Sequence, residues 1–306
     1  MDFSMELRHL RYYVAVAEAL NFTKAAARLR VAQPALSRQV QDLEDELGVD
    51  LLTRSPRGVA LTAEGKLFLE EARALLKRAD EAVEKTRALA RGEFGELPVG
   101  YSPSPTVELL PPALGAFQKA VPRVTVRLHD LAGNELADGV RNGTLELAVM
   151  QRPIDANGVG LHFEPLHSYP ICVAVAPEHP FAKMKSVPLA RLATEKLVAF
   201  RQREYADYHA LLARVLMEVN PRPAIAVECD GSSSLFTEIA AGRGVAILSQ
   251  VFAEIVGTRL KLRPLMPAPA PQEVGIVRAL KGDVTPAGEK FCAQLRAAAK
   301  SLSHGD

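Results

Sequence analysis

The chain has 306 residues, more than one ordinary hydrophobic core accommodates, so we expect two or three domains. Hydrophobic residues make up 48% and charged residues 24%, which excludes a disordered or fibrous chain. The net charge of +1 excludes an overall basic excess, so any nucleic-acid binding must use basic groups that are gathered locally.

The first 63 residues indicate three short helices and a hairpin. Thr23 is predicted to cap a second helix over 24–29. A third helix is predicted from Gln33, with Pro34 in its first turn, to Gly48, which favours a helix end. Strands are predicted over 51–54 and 59–62. The first helix follows from apolar residues at helical spacing: Leu7, Leu10, Tyr13, Val14 and Ala17.

A long helix follows, capped by Thr62 and predicted to extend to about residue 91. Its apolar and small residues recur at alternating spacings of four and three, which is a heptad pattern. The pattern predicts a seam between two chains, with packing against the rest of the same chain as the alternative. The seam residues are Phe68, Ala72, Leu75, Ala79, Ala82, Thr86 and Leu89.

The glycine-containing stretch 92–95 predicts a hinge, and beyond it strands alternate with helices. Strands are predicted over 97–101, 124–130, 145–150, 171–176, 197–200, 225–229, 245–248 and 274–278. Helices are predicted over 106–120, 134–142, 205–219, 232–241 and 286–302. The alternation predicts mostly parallel sheets covered by helices, and the proline-rich stretch 264–271 indicates a crossing between two lobes.

Residues 23–47 have the layout of a helix-turn-helix, whose second helix enters the DNA major groove. Five apolar residues are predicted to form the buried face of that helix: Ala35, Leu36, Val40, Leu43 and Leu47. Five others point away from it: Gln33, Pro34, Ser37, Arg38 and Gln41. Glutamine suits adenine edges, arginine suits guanine edges, and serine reaches either a base or a phosphate.

We therefore predict that these five residues contact DNA together with Thr23 and Lys24. Arg54 and Arg57 flank the tip of the hairpin, where a wing can reach phosphates or the adjacent minor groove. Each polar residue taken alone is more often a solvated helix position, so the prediction depends on the arrangement as a whole.

Five motifs carry a resemblance to the LysR-type bacterial transcriptional regulators. They are LRYYVAVAE at 10–18, NFTKAA at 21–26, VAQPALSRQV at 31–40, LEDELG at 43–48 and LTAEG at 61–65. One departure is Ala32, where the family usually has serine, and the lost cap should cost about 1 kcal/mol. The resemblance implies a DNA-binding activator or repressor that acts as a homotetramer, a dimer of dimers, with double-stranded DNA, a small-molecule effector and RNA polymerase as partners.

The resemblance also implies an α/β fold with three parts. Residues 1–63 would form a winged helix-turn-helix DNA-binding domain, and residues 64–92 a linker helix for dimerisation. Residues 93–306 would form an effector-binding domain that resembles a periplasmic binding protein. Its lobe I is predicted over 95–168 and 271–306, and its lobe II over 169–270, with the effector in the cleft between them.

Polar residues follow several predicted strands of that domain, where open α/β sheets bind ligands. Hydroxyls and free N–H groups after residue 101 can hold a carboxylate, or can serve as caps and turn formers. The predicted effector-binding residues are Ser102, Ser104, Thr106, Gly133, Asn134, Gln151, Phe200, Arg201, Gln202 and Ser232. Arg201 either pairs with an anionic effector or lies exposed at the surface.

The first domain and residues 255–259 look most similar to the branch that controls aromatic and chloroaromatic catabolism. Relatives in that branch tend to have threonine or serine at the place of Gly133, and some have arginine at the place of Gln151. These two departures put the usual ligand of the branch in question. The expected effector is a small carboxylated metabolite, with an aromatic one as the narrower expectation.

Two other classes of protein are weaker alternatives. An enzyme lacks support, since no Walker loop, GxGxxG, GxSxG or HExxH motif occurs, and no cofactor or metal is expected. A solute carrier would need a signal peptide, and the N-terminus shows none, so we expect a cytoplasmic protein without a membrane partner. Cys172, Cys229 and Cys292 form no CxxC pair and are expected to be buried free thiols, with a redox sensor as the alternative.

Overall fold

The computed structural model describes residues 5–55, 58–102, 105–153, 160–282 and 284–302. The chain divides into two compact units, Met1–Ala88 and Leu89–Asp306. Most of the long helix that we predicted as a separate linker therefore belongs to the first unit. No helix in the described ranges is long and apolar enough to cross a membrane.

The described residues of the first unit form α1 (Leu7–Ala19), α2 (Phe22–Leu29), α3 (Gln33–Leu47), β1 (Leu52–Ser55), β2 (Gly58–Leu61) and α4 (Ala63–Ala90), whose last two residues belong to the second unit. β1 and β2 form an antiparallel hairpin in which Leu52 pairs with Leu61 and Ser55 with Gly58. The Oγ1 of Thr62 accepts the N–H of Gly65, so Thr62 caps α4 as predicted.

The cap of α2 differs from the prediction. The helix begins at Phe22 and not at Lys24, and the side chain of Asn21 accepts the N–H of Lys24 at 2.9 Å. Thr23 therefore lies inside the first turn and is no cap. Asparagine and threonine both satisfy free N–H groups at a helix start, and the residue that comes before the first helical one takes that position.

The core of the first unit joins all three short helices to the start of α4. Leu36, Val40 and Leu43 are buried on α3 as predicted, but Ala35 is exposed and Leu47 only half-buried. The place that we assigned to Ala35 on this face is wrong. The ring of Tyr13 packs against that of Phe68 on α4, with centroids 5.3 Å apart.

The predicted heptad seam on α4 is wrong for its first two residues, and its later part stays a prediction. Phe68 and Ala72 pack into the core of their own unit, so they do not face a second chain. Leu75 and Leu89 are 47% and 59% exposed, and Ala82 and Thr86 are also exposed. The early turns thus follow the alternative of packing against the same chain, because Tyr13 and its neighbours cover them.

The second unit contains a five-stranded sheet of order β4-β3-β5-β13-β6. Its strands are β3 (Gly95–Tyr101), β4 (Val124–Asp130), β5 (Leu147–Gln151), β6 (Leu161–Tyr169) and β13 (Gln272–Ala279). β4, β3 and β5 are parallel, whereas β13 runs antiparallel to both of its neighbours. The helices α5 (Leu110–Ala120), α6 (Gly133–Arg141) and α10 (Pro286–Leu302) belong to this part of the chain.

A second sheet of order β11-β7-β12-β8 is formed by strands that lie between β6 and β13 in the sequence. Its strands are β7 (Ile171–Val175), β8 (Val187–Pro188), β11 (Ala246–Ser249) and β12 (Lys261–Met266). β9 (Leu197–Phe200) and β10 (Ile225–Cys229) form a parallel pair, and Leu197 is bridged to Val245 just before β11. The helices here are α7 (Ala206–Val215), α8 (Ser232–Ala240) and α9 (Ala253–Val256).

The expectation of mostly parallel sheets is wrong for the second sheet, where β7 is antiparallel to both β11 and β12. The sequence analysis also missed β6, β8 and β12. The chain passes between the sheets twice. β6 ends at Tyr169 and β7 begins at Ile171, and β12 ends at Met266 before β13 begins at Gln272.

One predicted helix boundary and one predicted hinge differ from the structure for local reasons. The helix predicted over 106–120 begins at Leu110, because Pro111 and Pro112 lack N–H donors and fit only the first turn. The stretch predicted as a hinge packs against α10, because a Cβ on Gly92 would clash with the backbone nitrogen of Ala287. Lys290 Nζ also donates to the carbonyl of Arg91 at 2.9 Å.

Candidate nucleic-acid interface and ligand cleft

The amino-terminal half of α3 presents one polar surface. Gln33, Ser37 and Gln41 are spaced by four residues, and Pro34 and Arg38 form the adjacent row, so all five share one face of the helix. Gln33, Pro34 and Arg38 are exposed, and Ser37 and Gln41 are half-buried. The turn before α3 leaves this end of the helix open to solvent.

The basic residues of the first unit differ in whether an acid neutralises them. Arg28 and Arg73 both pair with Glu18 at 2.9 Å. Lys24 and Arg38 are exposed and form no ion pair with any residue in the described ranges. A cation that has no internal partner can bind phosphate or a base edge without first breaking a contact, which favours these two of our predicted residues. Gln41, by contrast, donates to Asp45 at 3.1 Å.

Arg54 has an internal role that the sequence analysis did not anticipate. Its guanidinium donates to Oε2 of Glu44 at 2.9 Å and lies 5.3 Å from the centroid of the Phe22 ring. Glu44 is buried on α3, and its Oε1 accepts the N–H groups of Leu51 and Leu52, each at 2.9 Å. The pair fastens α3 to the hairpin, so Arg54 is a positioning residue as well as a candidate for phosphate contact.

One candidate was missed. Arg30 ends α2 with a φ of 58° and is exposed in the turn that leads to α3. It forms no ion pair within the described part of the chain. Its place between two helices of the helix-turn-helix is the signal that could have identified it. Arg57, predicted at the wing tip, lies outside the described residues, as does Ser104 of the predicted effector site.

The second unit contains a cleft of about 730 Å³. It lies between elements that follow a strand of the first sheet and the two strands of the β9–β10 pair: α6 after β4, α7 after β9, and α8 after β10. A volume of this size accommodates a small organic molecule. Six of the predicted effector-binding residues line it: Ser102, Gly133, Asn134, Gln151, Phe200 and Ser232.

Three predicted residues do not line the cleft. Thr106 is buried, and its Oγ1 donates to the carbonyl of Ser102 at 2.6 Å, so its role is to shape the turn. Arg201 and Gln202 are exposed and lie outside the cleft lining, as the alternative for Arg201 had it. The β9 strand ends at Phe200, the next two residues lie outside the lining, and the chain returns to the cleft at Glu204 before α7 begins.

An aromatic wall forms one side of the cleft. The ring of Phe200 stacks on that of Tyr205 with centroids 4.6 Å apart, and it meets Tyr208 edge to face at 5.0 Å. Burial raises the pKa of the Tyr205 hydroxyl, and the nearby carboxylates, Asp130 first among them, raise it further. The sequence analysis missed both tyrosines, because Tyr205 directly precedes α7 and Tyr208 lies on it, and neither is directly at a strand end.

The charged residues among the described lining are all acidic. They are Asp130, Glu135, Glu204 and Asp207. Neither Asp130 nor Glu204 forms an ion pair with a described residue. Glu135 caps α6, since its Oε2 accepts the N–H of Ala132 at 3.1 Å.

The carboxylate of Asp207 lies against the amino-terminal end of α6. A Cβ on Gly133, the first residue of that helix, would lie 2.7 Å from Oδ2 of Asp207. The missing side chain of Gly133 therefore gives Asp207, which is on α7, room to approach α6. A helix amino terminus attracts negative charge, so this internal carboxylate already occupies the amino-terminal end of α6.

A pair of amides separates the cleft from a smaller cavity of about 300 Å³. Gln272 Nε2 donates to Gln151 Oε1 at 2.7 Å, and both residues line both cavities. The smaller cavity is lined by Arg152 and Arg214. Arg152 is already paired with Glu273 at 2.6 Å.

No group of three or more metal-ligating side chains occurs among the residues described. The three cysteines are buried and free. Burial raises the pKa of the Cys172 and Cys292 thiols to about 11.

Two family models match the chain, one in each of its two units. Residues 7–66 match the model of bacterial regulatory helix-turn-helix proteins of the lysR family, and residues 90–300 match the LysR substrate binding domain. The chain is 32% identical over 289 residues to the Hca operon transcriptional activator HcaR of Escherichia coli (strain K12), which covers 94% of this chain and 96% of that protein.

It is 35% identical over 280 residues to the HTH-type transcriptional regulator TcbR of Pseudomonas sp. (strain P51), covering 84% of this chain and 90% of that one. Among solved structures, full-length CbnR complexed with its target DNA is 32% identical. The TM-score is 0.80, over 96% of this chain and 100% of that chain.

Proposed function

The chain belongs to the LysR family of transcriptional regulators, and from that membership we propose that α3 binds the major groove of an operator while the cleft binds the small molecule that controls it. The first unit is a DNA-binding helix-turn-helix domain, and the second is an effector-binding domain. The proteins reported above are named as transcriptional regulators and not as enzymes.

The observation that carries the DNA interface is the exposed guanidinium of Arg38, which forms no ion pair with a described residue. It lies on the face of α3 that also holds Gln33 and Ser37. Residues in the first turns of a recognition helix lie against base edges. Lys24 and Arg30, at the two ends of α2, supply cations for the phosphates that flank that groove. Thr23, Pro34 and Gln41 belong to the same proposed surface.

The hairpin is proposed to serve as a wing, with Arg57 at its tip. Arg54 stays paired with Glu44 and holds the hairpin against α3, so its contribution to DNA binding is chiefly to place the wing.

The regulated step is proposed to be a change in the arrangement of the two lobes. Gly133 and Asn134 are on α6, which follows the first sheet, and Phe200 and Ser232 are on elements associated with the second sheet. A ligand that contacts both sets binds one arrangement better than the other. The coupling to DNA equals that difference in affinity.

Oligomerisation would couple the change in lobe arrangement to the spacing of the DNA-binding domains. Leu75, Ala79, Ala82, Thr86 and Leu89 are proposed to pair two chains, because the exposed ones leave an apolar stripe on α4 uncovered. Pairs of chains would assemble into a tetramer that bends DNA between two sites. Relaxation of the bend would recruit RNA polymerase, and the protein would act in the cytoplasm, where the chromosome lies.

The effector expected from the resemblance is a carboxylated, aromatic metabolite. The aromatic part has support in the wall of Phe200, Tyr205 and Tyr208. The carboxylate has less support, since no arginine, lysine or histidine is among the described residues that line the cleft.

The test is a selection of duplexes from a random library with the full chain, followed by footprinting of the selected duplex. A protected region with two half-sites supports the proposal, and the ligand that occupies the cleft should alter the footprint or the bend angle. A chain that binds selected and random duplexes equally would refute the recognition role of α3.

A further inference from the structure

We infer that the cleft binds a small organic cation, an ammonium or amidinium group on an aromatic or apolar body, in place of the carboxylate that the family resemblance implies. This inference rests on the proposed function, because it names the chemical class of ligand for the same cleft. Three features of the cleft favour a cation over an anion: its charges, the ends of its helices and its aromatic wall. A buried hydroxyl then marks where a polar group of the ligand binds.

The charges all have one sign. Asp130, Glu204 and Asp207 line the cleft together with Glu135, and no described basic residue accompanies them. Carboxylates that share a partly enclosed space repel each other and any anion that enters, whereas a cation lowers that repulsion. Asp130 and Glu204 have no ionic partner among the described residues, so they are available to a cationic ligand.

The helix ends at the cleft already have negative partners. Glu135 accepts the N–H of Ala132 ahead of α6, and the carboxylate of Asp207 lies beside Gly133. At α8 the carboxylate of Asp230 accepts the hydroxyl of Ser234 at 2.7 Å, and this hydrogen bond lowers the pKa of Asp230. An incoming carboxylate would therefore meet helix ends whose positive charge is already compensated.

The aromatic wall suits the same ligand. Ring faces attract cations because the ring quadrupole is negative there, and a carboxylate finds no such attraction. Phe200, Tyr205 and Tyr208 are held by their mutual stacking, so the wall exists before the ligand binds. Leu131, Leu248 and Ile255 add apolar surface for the body of the ligand.

An unpartnered hydroxyl marks where the ligand's polar group lies. Ser249 is 1% exposed, lines the cleft, and its Oγ has no hydrogen-bond partner among the described residues. A buried hydroxyl without a partner is unfavourable, and a ligand N–H that donates to it removes that penalty. The backbone of Ser249 is fixed in β11, where it pairs with Ile171, so the hydroxyl is held in place.

The experiment compares ligands that share a body and differ in charge. The full chain is mixed with benzylamine, benzyl alcohol or benzoate, and separately with 3-phenylpropylamine, 3-phenylpropan-1-ol or 3-phenylpropionate. The melting temperature of the second unit is followed by calorimetry, since a bound ligand raises it. We expect each amine to raise the melting temperature more than its alcohol, and the carboxylates to leave it unchanged.

Variants locate the effect. Glu204→Gln and Asp207→Asn should each weaken binding of the better amine by about tenfold, because a charge-assisted hydrogen bond is lost. Ser249→Ala should weaken it by about fivefold while the ligand-free protein melts at the same or a higher temperature. Glu228→Gln is the matched control: Glu228 is exposed on β10 and does not line the cleft, so this variant should bind like the parent.

A carboxylate that stabilises more than its matched amine overturns the inference, and loss of that effect in Arg214→Ala would place the carboxylate in the smaller cavity. Failure of both amines to shift the melting temperature also overturns it. Neither result touches the DNA-binding role, which the footprint on a selected duplex tests independently.

Discussion

The carboxylate of Glu44 and the guanidinium of Arg54 lie 2.9 Å apart, and they join α3 to the hairpin of the same domain. Glu44→Ala removes this pair and leaves the buried N–H groups of Leu51 and Leu52 without acceptors. We expect the first unit to lose roughly 2–4 kcal/mol of unfolding free energy. Calorimetry of the full chain measures it, with Asp42→Ala as the exposed control on the same helix. Equal melting of both variants would contradict the role of the pair.

Arg38→Ala should weaken binding to the selected duplex by roughly 1–3 kcal/mol if the guanidinium contacts a base edge. Arg28→Ala is the control, because Arg28 is already paired with Glu18 and should contribute little. Fluorescence anisotropy on the selected duplex and on a random duplex measures both. An equal loss on the two duplexes would remove Arg38 from the base-contacting set.

Arg30→Ala should weaken binding to all sequences by a similar factor, as expected for a phosphate contact. The slope of log affinity against log salt should fall by about one unit. Arg57→Ala should behave in the same way if the wing tip reaches a phosphate. A salt slope equal to that of the parent chain would show that the residue in question does not neutralise a phosphate.

Gly133→Ala tests the contact between α6 and Asp207. Alanine at an exposed helix position ordinarily stabilises by up to about 1 kcal/mol over glycine. Here the added Cβ would lie 2.7 Å from Oδ2 of Asp207, so we expect no gain or a loss. In the Asp207→Ala background the gain should return, giving a coupling energy of roughly 0.5–3 kcal/mol in a double-mutant cycle. Additive effects would mean that the two residues do not meet.

The cysteines should be unreactive in the folded chain. Burial raises the pKa of Cys172 and Cys292 to about 11, so the thiolate that reacts is scarce at neutral pH and increases only as the pH approaches that value. Iodoacetamide at pH 7 should modify them far more slowly than it modifies the urea-unfolded chain. Rapid modification of the native protein would revive the redox-sensor alternative.

The family resemblance and the fold class are confirmed, because the features that indicate them are encoded in short segments of the sequence. The motifs at 10–65 combine helix caps, a short turn and apolar spacing that short-range forces determine. The antiparallel strands β6 and β12 escaped prediction because each depends on a partner distant in the chain; β6, for example, pairs with β13. Pairing over such distances leaves little trace in the spacing of apolar residues.

In the cleft, too, residues whose position depends on tertiary packing could not be predicted from the sequence. Ser102, Gln151 and Phe200 could be predicted because strand ends meet at one edge of a sheet. Tyr205 and Asp207 could not, since they come after the non-helical segment that follows β9, and the direction of that segment depends on tertiary packing. Arg201 shows the opposite kind of error. It was predicted to bind the effector because it directly follows β9, but its side chain is exposed at the surface.

The single residue between β6 and β7 has a mechanical consequence. Pro170 alone separates Tyr169 from Ile171, and its carbonyl accepts the N–H of Gln250 at 2.8 Å. Because the proline ring fixes φ and both neighbours are buried in sheets, few backbone torsions at this point are free to turn. Rotation of one lobe against the other is therefore restricted at Pro170. The longer connection between Met266 and Gln272 must accommodate most of the accompanying change in backbone torsions.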